Sequence, residues 1–140
     1  MLVNGNFGTM GYVLPAALGA AVAEEEPVCC CTGDGAFLQV IQDVETAVRL
    51  SLPACIAVLK DESYGIIRHQ QRTEYGRETT TSYESPDLAA TARGLGADAI
   101  TVRSIEDLDA VEEFLRDPDG PLVFDARAIR EVTRPGFPPY

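Results

Sequence analysis

Short, nearly continuous apolar runs separated by helix-length segments are the feature that most constrains this chain. Val28-Cys-Cys-Cys31, Cys55-Ile-Ala-Val-Leu59 and Leu122-Val-Phe-Asp-Ala126 each read as a buried strand, and Asp98 to Val102 as a fourth, weaker one. Between them lie segments with apolar residues at helical spacing. Gly11 to Ala23 is apolar nearly all round, which predicts a helix buried on more than one side. Phe37 to Leu50 carries Phe37, Val40, Ile41, Val44, Ala47 and Val48 and reads as one crossover helix. Gly65 to about Glu74 reads as a polar helix. Ser85-Pro86 reads as an N-cap followed by proline at the first helical position, opening a helix to Gly94. Ser104 to Arg116 is amphipathic and begins with the capping-box pattern Ser104-Ile-Glu-Asp107. Strands without polar alternation, alternating with helices, predict an α/β domain with a parallel sheet covered on both faces.

Charge and cysteine usage exclude several classes of function. The 140 residues hold 22 Asp and Glu against 11 Lys and Arg, a net charge of −11, so no basic surface is available for nucleic acid or an anionic membrane. The longest apolar stretch, Tyr12 to Ala23, is too short to span a bilayer and lacks the basic flank of a signal peptide, so the chain reads as cytoplasmic. Cys29, Cys30 and Cys31 cannot chelate one metal from a strand, because alternate side chains point to opposite faces. With Cys55 they read as small buried packing residues.

In such sheets ligands bind beyond the C-terminal ends of the strands. Asp34 directly follows the first strand inside Gly33-Asp34-Gly35, and Asp61 directly follows the second inside Lys60-Asp-Glu-Ser-Tyr-Gly65. One crossover separates them, so the two carboxylates are expected at one sheet edge. Glycines beside Asp34 let backbone approach a ligand closely. Gly65 opens a helix whose first N–H groups suit a phosphate. Two carboxylates repel a phosphate unless Mg²⁺ lies between them, and Mg²⁺ commonly takes one or two carboxylates plus phosphate oxygens. From spacing alone, two surface turns capped by Asp are the commoner reading.

Four segments in order carry a resemblance. Gly8-Thr-Met-Gly-Tyr-Val-Leu-Pro-Ala-Ala-Leu-Gly-Ala20, Gly33-Asp-Gly-Ala-Phe37, Ile41-Gln-Asp-Val-Glu-Thr-Ala-Val-Arg49 and Leu59-Lys-Asp-Glu-Ser-Tyr-Gly-Ile-Ile-Arg68 together resemble the thiamine-diphosphate-binding domain of the acetolactate synthase, pyruvate oxidase and pyruvate decarboxylase superfamily. The resemblance covers roughly residues 5–126 and implies the thiamine-diphosphate-binding fold, N-terminally incomplete, followed by a tail over 127–140. It implies thiamine diphosphate and Mg²⁺ as cofactors. Asp34, Asp61 and the Ser63 carbonyl would hold the cation. Gly33, Gly35, Ala36 and the backbone of Tyr64, Gly65 and Ile66 would face the diphosphate. Met10 would prop the cofactor, with the Gly8 carbonyl and Met10 N–H on its aminopyrimidine.

Departures from the family pattern matter. Lys60-Asp61 stands where Asn-Asn is usual, and the Lys60 ammonium is expected to offset the two carboxylates. Ile67 stands where pyruvate decarboxylases place a catalytic Glu, whereas Ile67-Arg68 matches acetolactate synthases. Gln70 replaces the Trp of the biosynthetic acetolactate synthases. His69, Tyr64, Gln70 and Gln71 read as solvated helix residues or as substrate-facing ones. No catalytic residue is assignable. The activating glutamate of such enzymes comes from a pyrimidine-binding domain, so the resemblance implies such a domain or subunit as partner, a homo- or hetero-oligomer, and a 2-oxo acid substrate. A non-catalytic relic or regulatory binding module of the fold, and an unrelated α/β module binding another Mg²⁺-nucleotide, are the alternatives.

Overall fold

In a computed structural model that describes residues 7–129, four parallel strands form one sheet in the order β1-β2-β4-β3. The strands are β1 (Val28–Gly33), β2 (Ala54–Lys60), β3 (Asp98–Val102) and β4 (Pro121–Arg127). The expected strands are all present, longer by one or two residues at several ends. The helices are α1 (Val13–Glu24), α2 (Asp34–Leu38), α3 (Asp43–Arg49), α4 (Gly65–Tyr75), α5 (Leu88–Gly94) and α6 (Asp109–Arg116). The tail expected over 127–140 lies outside the described residues from 130 onward, and its first residue, Arg127, ends β4.

The larger core sits on one face of the sheet. Leu14 and Leu18 of α1, Phe37 of α2, Val44 and Ala47 of α3 and Leu88 and Ala92 of α5 pack there against Cys30, Ile56, Val58 and Val123. On the other face Val111 and Phe114 of α6 cover Cys55, Leu122, Phe124 and Ile100. The β1 side of that second face is open, with Cys29, Cys31 and Leu59 exposed. The four cysteines are therefore not all interior. Burial pushes the Cys30 and Cys55 thiols up to about 12, which keeps them neutral packing groups.

Four expected helices differ in detail. The α1 helix buries Leu14, Leu18 and Ala21 on one face, while Val22 is exposed, so one side is covered rather than several. The single crossover helix is two, broken at residues 39–42 by successive turns in which the Val40, Asp43 and Val44 amides donate to Phe37, Val40 and Ile41 carbonyls. The apolar spacing runs through this break because Val40 and Ile41 still pack on the core. The N-cap of α5 is Asp87, whose Oδ1 accepts the Ala90 N–H at 2.8 Å, not Ser85. At Ser104, Asp107 does accept the Ser104 N–H at 2.9 Å, but residues Glu106–Leu108 make a 3₁₀ turn before α6 begins.

Asp125 of β4 is fully buried, opposite Val58 on one side and Thr101 on the other. Neither carboxylate oxygen has a hydrogen bond, and the Arg127 guanidinium lies 3.6 Å away. Burial pushes its pKa up, and the attraction of Arg127, Lys60 and Arg103 falls short of cancelling that. A carboxyl whose folded pKa exceeds its unfolded value favours folding in its protonated form, and that advantage is lost as pH rises past the unfolded pKa. Asp125→Asn is therefore expected to raise the melting temperature at pH 7, with the gain shrinking towards about pH 4. Thermal melts at both pH values check this, and an equal loss of stability at both would contradict it.

Candidate functional site

The site begins with strand pairing. β1 and β2 are parallel neighbours, with Gly33 opposite Leu59. The residues that leave these strands, Asp34 and Asp61, therefore emerge side by side at the C-terminal edge. Asp34 is the first residue of α2 and only 1% exposed. Its Oδ2 accepts the Glu62 N–H at 3.1 Å, a bond that ties the first loop to the second. Burial raises the Asp34 pKa, opposed by Tyr83 and by the Gly35 and Glu62 amides, while the nearby Asp61 charge raises it further.

Asp61 caps its own turn. Its Oδ1 accepts the Ser63 N–H at 3.0 Å and its Oδ2 the Ser63 hydroxyl at 2.8 Å. Glu62 takes φ of 57°, the left-handed region, so the chain reverses sharply there. That costs a side-chain-bearing residue some strain and sets the Glu62 amide towards Asp34. An isolated antiparallel bridge pairs Ser63 with Ser82. Its hydrogen bonds run from Tyr64 N–H to the Thr81 carbonyl (2.8 Å) and from Tyr83 N–H to the Glu62 carbonyl (3.1 Å). Ser63 is thus the unbonded member of the ladder, and its carbonyl points away from the strap formed by residues 79–87.

Tyr64 and Tyr83 pack as a tilted pair, with ring centroids 5.1 Å apart and planes at 47°. Together they roof Gly35: a Cβ at that position would lie 2.9 Å from Tyr64 Cε1 and 2.9 Å from the Tyr83 hydroxyl. Lys60 does not serve the carboxylates as expected. Its ammonium is buried on the core face, donating to the Ser85 and Pro86 carbonyls at 3.2 and 2.7 Å and lying 3.5 Å from Glu62 Oε1. Strand parity explains this, since Lys60 shares a face with the buried Ile56 and Val58.

The Gly8–Gly11 loop leads into α1 and packs on the turn between α2 and α3. Gly8 and Gly11 have φ of 58° and 80°, and a Cβ on Gly11 would sit 3.1 Å from Val40. Met10 is 39% exposed, its sulfur 4.0 Å from the Gln39 amide nitrogen. On α4 the Tyr64 amide is committed to Thr81, which leaves Gly65 and Ile66 as first-turn amides without intrahelical acceptors. His69 is exposed, and Gln71 Oε1 accepts the Thr79 N–H at 2.8 Å, fastening the start of the strap. The strap and Tyr83 were not legible in the sequence, because a single bridge leaves no periodic pattern. Gly33 and Ala36 flank Asp34 at the end of β1 and in α2.

The donor set suits a divalent oxygen-seeking cation beside a phosphate. Two carboxylates lie within electrostatic reach of each other, and one carbonyl stands outside the ladder. Among the described residues no group of three or more His, Cys, Asp or Glu could hold a metal by side chains alone. A cation here needs backbone and ligand oxygens as well. No helix among the described residues is long and apolar enough to cross a membrane.

Comparison with known proteins places the chain in context. The family model described as thiamine pyrophosphate enzyme, C-terminal TPP binding domain, matches residues 1–126. The acetolactate synthase of Bacillus subtilis is 31% identical over 126 residues, 89% of this chain and 22% of that protein. The acetolactate synthase large subunit of Corynebacterium glutamicum is 36% identical over 132 residues, 89% of this chain and 21% of that protein. The benzoylformate decarboxylase structure from Polynucleobacter necessarius superposes with a TM-score of 0.84 at 26% identity, covering 91% of this chain and 25% of that one. The chain thus spans between a fifth and a quarter of the length of these relatives.

The roof over Gly35 generates a test. Gly35→Ala places a methyl group where two aromatic side chains already are, so the Tyr64–Tyr83 pair must shift. The near-ultraviolet circular dichroism of the chain, which has five tyrosines and no tryptophan, is expected to change while the far-ultraviolet spectrum stays the same. An unaltered near-ultraviolet spectrum would show that the roof is looser than described.

Proposed function

The chain belongs to the family of C-terminal thiamine-pyrophosphate-binding domains of thiamine-pyrophosphate enzymes, and from that premise we propose that it is the Mg²⁺- and diphosphate-holding part of an enzyme acting on 2-oxo acids by decarboxylation or carboligation. The observation that carries this reading is the Asp34–Asp61 pair, buried and half-buried, at the shared end of two paired strands. A buried carboxylate beside a second one is costly unless a cation joins them.

Asp34, Asp61 and the Ser63 carbonyl would hold Mg²⁺. The Gly65 and Ile66 amides at the start of α4, with the backbone of Gly35 and Ala36, would orient the diphosphate. Met10, exposed at the head of α1, would support the cofactor from the other side of α2, with the Gly8 carbonyl beside it. When bound, thiamine diphosphate supplies the electron sink that 2-oxo acid chemistry needs. The glutamate that activates it would come from a pyrimidine-binding domain or subunit, which makes an oligomer the working form. Similarity to acetolactate synthases supports carboligation, and Ile67-Arg68 in place of a glutamate at position 67 supports it over simple decarboxylation.

Calorimetry with Mg²⁺ and thiamine diphosphate tests the reading. Asp34→Ala is expected to weaken binding at least about tenfold, or ~1.4 kcal/mol. Asp61→Asn should keep binding with weaker Mg²⁺ affinity, and Asp61→Leu should abolish it, since a hard cation gains nothing from an apolar side chain. Wild-type affinity in Asp34→Ala and Asp61→Leu would reduce both residues to turn formers, and preference for ATP would turn the reading towards a nucleotide-binding module.

A further inference from the structure

Lys60 and Tyr83 are two buried polar groups that the proposed function leaves without a role, and one piece of chain joins them. The strap crosses the loop after β2 and is fastened at four places. Thr79 N–H bonds Gln71, Thr81 and Tyr83 pair with Tyr64 and Glu62 through backbone, and the Ser85 and Pro86 carbonyls accept from Lys60. The Lys60 side chain is only 2% exposed, so its ammonium is a fixed anchor and not a surface charge.

Tyr83 is carried between these fastenings. Its ring packs on Tyr64, and its hydroxyl lies over the backbone of Gly35, next to the Asp34 carboxylate. The hydroxyl is buried with no hydrogen-bond partner among the described residues, and burial, then the neighbouring Asp34 charge, raises its pKa. Asp34 already receives the Glu62 N–H on Oδ2. A carboxylate that ligates a cation is commonly held by donors on its remaining lone pairs, and losing such a donor costs 10–100-fold in metal affinity. Glu62 supplies one donor from the β2 loop and Tyr83 stands where a second would come from the strap.

We propose that Tyr83 is a positioning residue that orients the Asp34 carboxylate for its cation, and that Lys60 acts through it by anchoring the strap at Ser85 and Pro86. The inference rests on the reading of Asp34 as a cation ligand. It gives the buried lysine a purpose that asparagine, with a shorter side chain, could not serve over the same reach.

The test is Mg²⁺ titration of the full chain at fixed thiamine diphosphate, with amide hydrogen exchange measured alongside. Tyr83→Phe keeps the ring on Tyr64 and removes only the hydroxyl. It is expected to weaken Mg²⁺ by about tenfold or more, with the Tyr64 and Tyr83 amides as protected as before. Lys60→Met is expected to weaken Mg²⁺ in the same direction and to speed exchange at those two amides. The double variant should be no weaker than the weaker single one, since both changes break one path. If Lys60→Met does not fold, Lys60→Gln is measured by the same exchange. Wild-type Mg²⁺ affinity in Tyr83→Phe, with Asp34→Ala impaired, overturns this inference alone. Wild-type Mg²⁺ affinity in Asp34→Ala as well as in Tyr83→Phe, or no uptake by the unaltered chain, overturns it together with the proposed function. Unchanged amide exchange in the Lys60 variant overturns the anchor.

Discussion

The in-register pairing of β1 with β2 is the interaction on which the rest depends. Ladder bonds from Val28 to Gly33 fix where each strand ends relative to the other, and so fix Asp34 beside the loop that starts at Asp61. A slip of one residue would exchange the faces of every side chain on the strand. It would bring Cys29 and Cys31 into the core in place of Cys30 and would turn Thr32 outwards. The buried row Ala54, Ile56 and Val58 forbids such a slip, because it must meet α1, α3 and α5. Hydrophobic burial therefore sets the position of two charges that take no part in it.

Local strain then refines what register has placed. Glu62 adopts a left-handed conformation, which turns its amide back on Asp34 and leaves the Ser63 carbonyl outside the hydrogen bonds of the short bridge. The Ser63 side chain and amide satisfy Asp61 from within the same turn. The loop is held by hydrogen bonds without being part of the sheet. The strap holds it from outside, and a buried ammonium holds the strap. Position is passed from core to loop to strap in steps of single hydrogen bonds.

The sequence made the framework legible because periodicity reports burial. The strands read as short apolar runs, α1 as a segment apolar nearly all round and α6 from its apolar spacing, while α4 reads only as a polar helix. The break between α2 and α3 was not legible, since Val40 and Ile41 remain buried in turns and keep the apolar spacing intact. The α5 cap was displaced from Ser85 to Asp87 because Pro86 precedes the true cap instead of following it. Asp34 and Asp61 were found by their place after strands. Their spatial nearness is observed, while their service as ligands is a proposal. Lys60 was misplaced although strand alternation held the answer: it follows Ile56 and Val58 at a spacing of two, on the face of the larger core. Tyr83 had no signal, since it lies in a stretch held by one bridge and two carbonyl contacts.

Gly35 has a consequence for reading relatives of this chain. The space a side chain would need there is already filled by Tyr64 and Tyr83, so the glycine is enforced by the protein's own interior as well as by any ligand. A descendant that had ceased to hold a cofactor, but kept both tyrosines, would still pay in stability for acquiring an alanine. The Gly33-Asp34-Gly35 signature can therefore outlive the activity with which it arose, as a fossil maintained by packing.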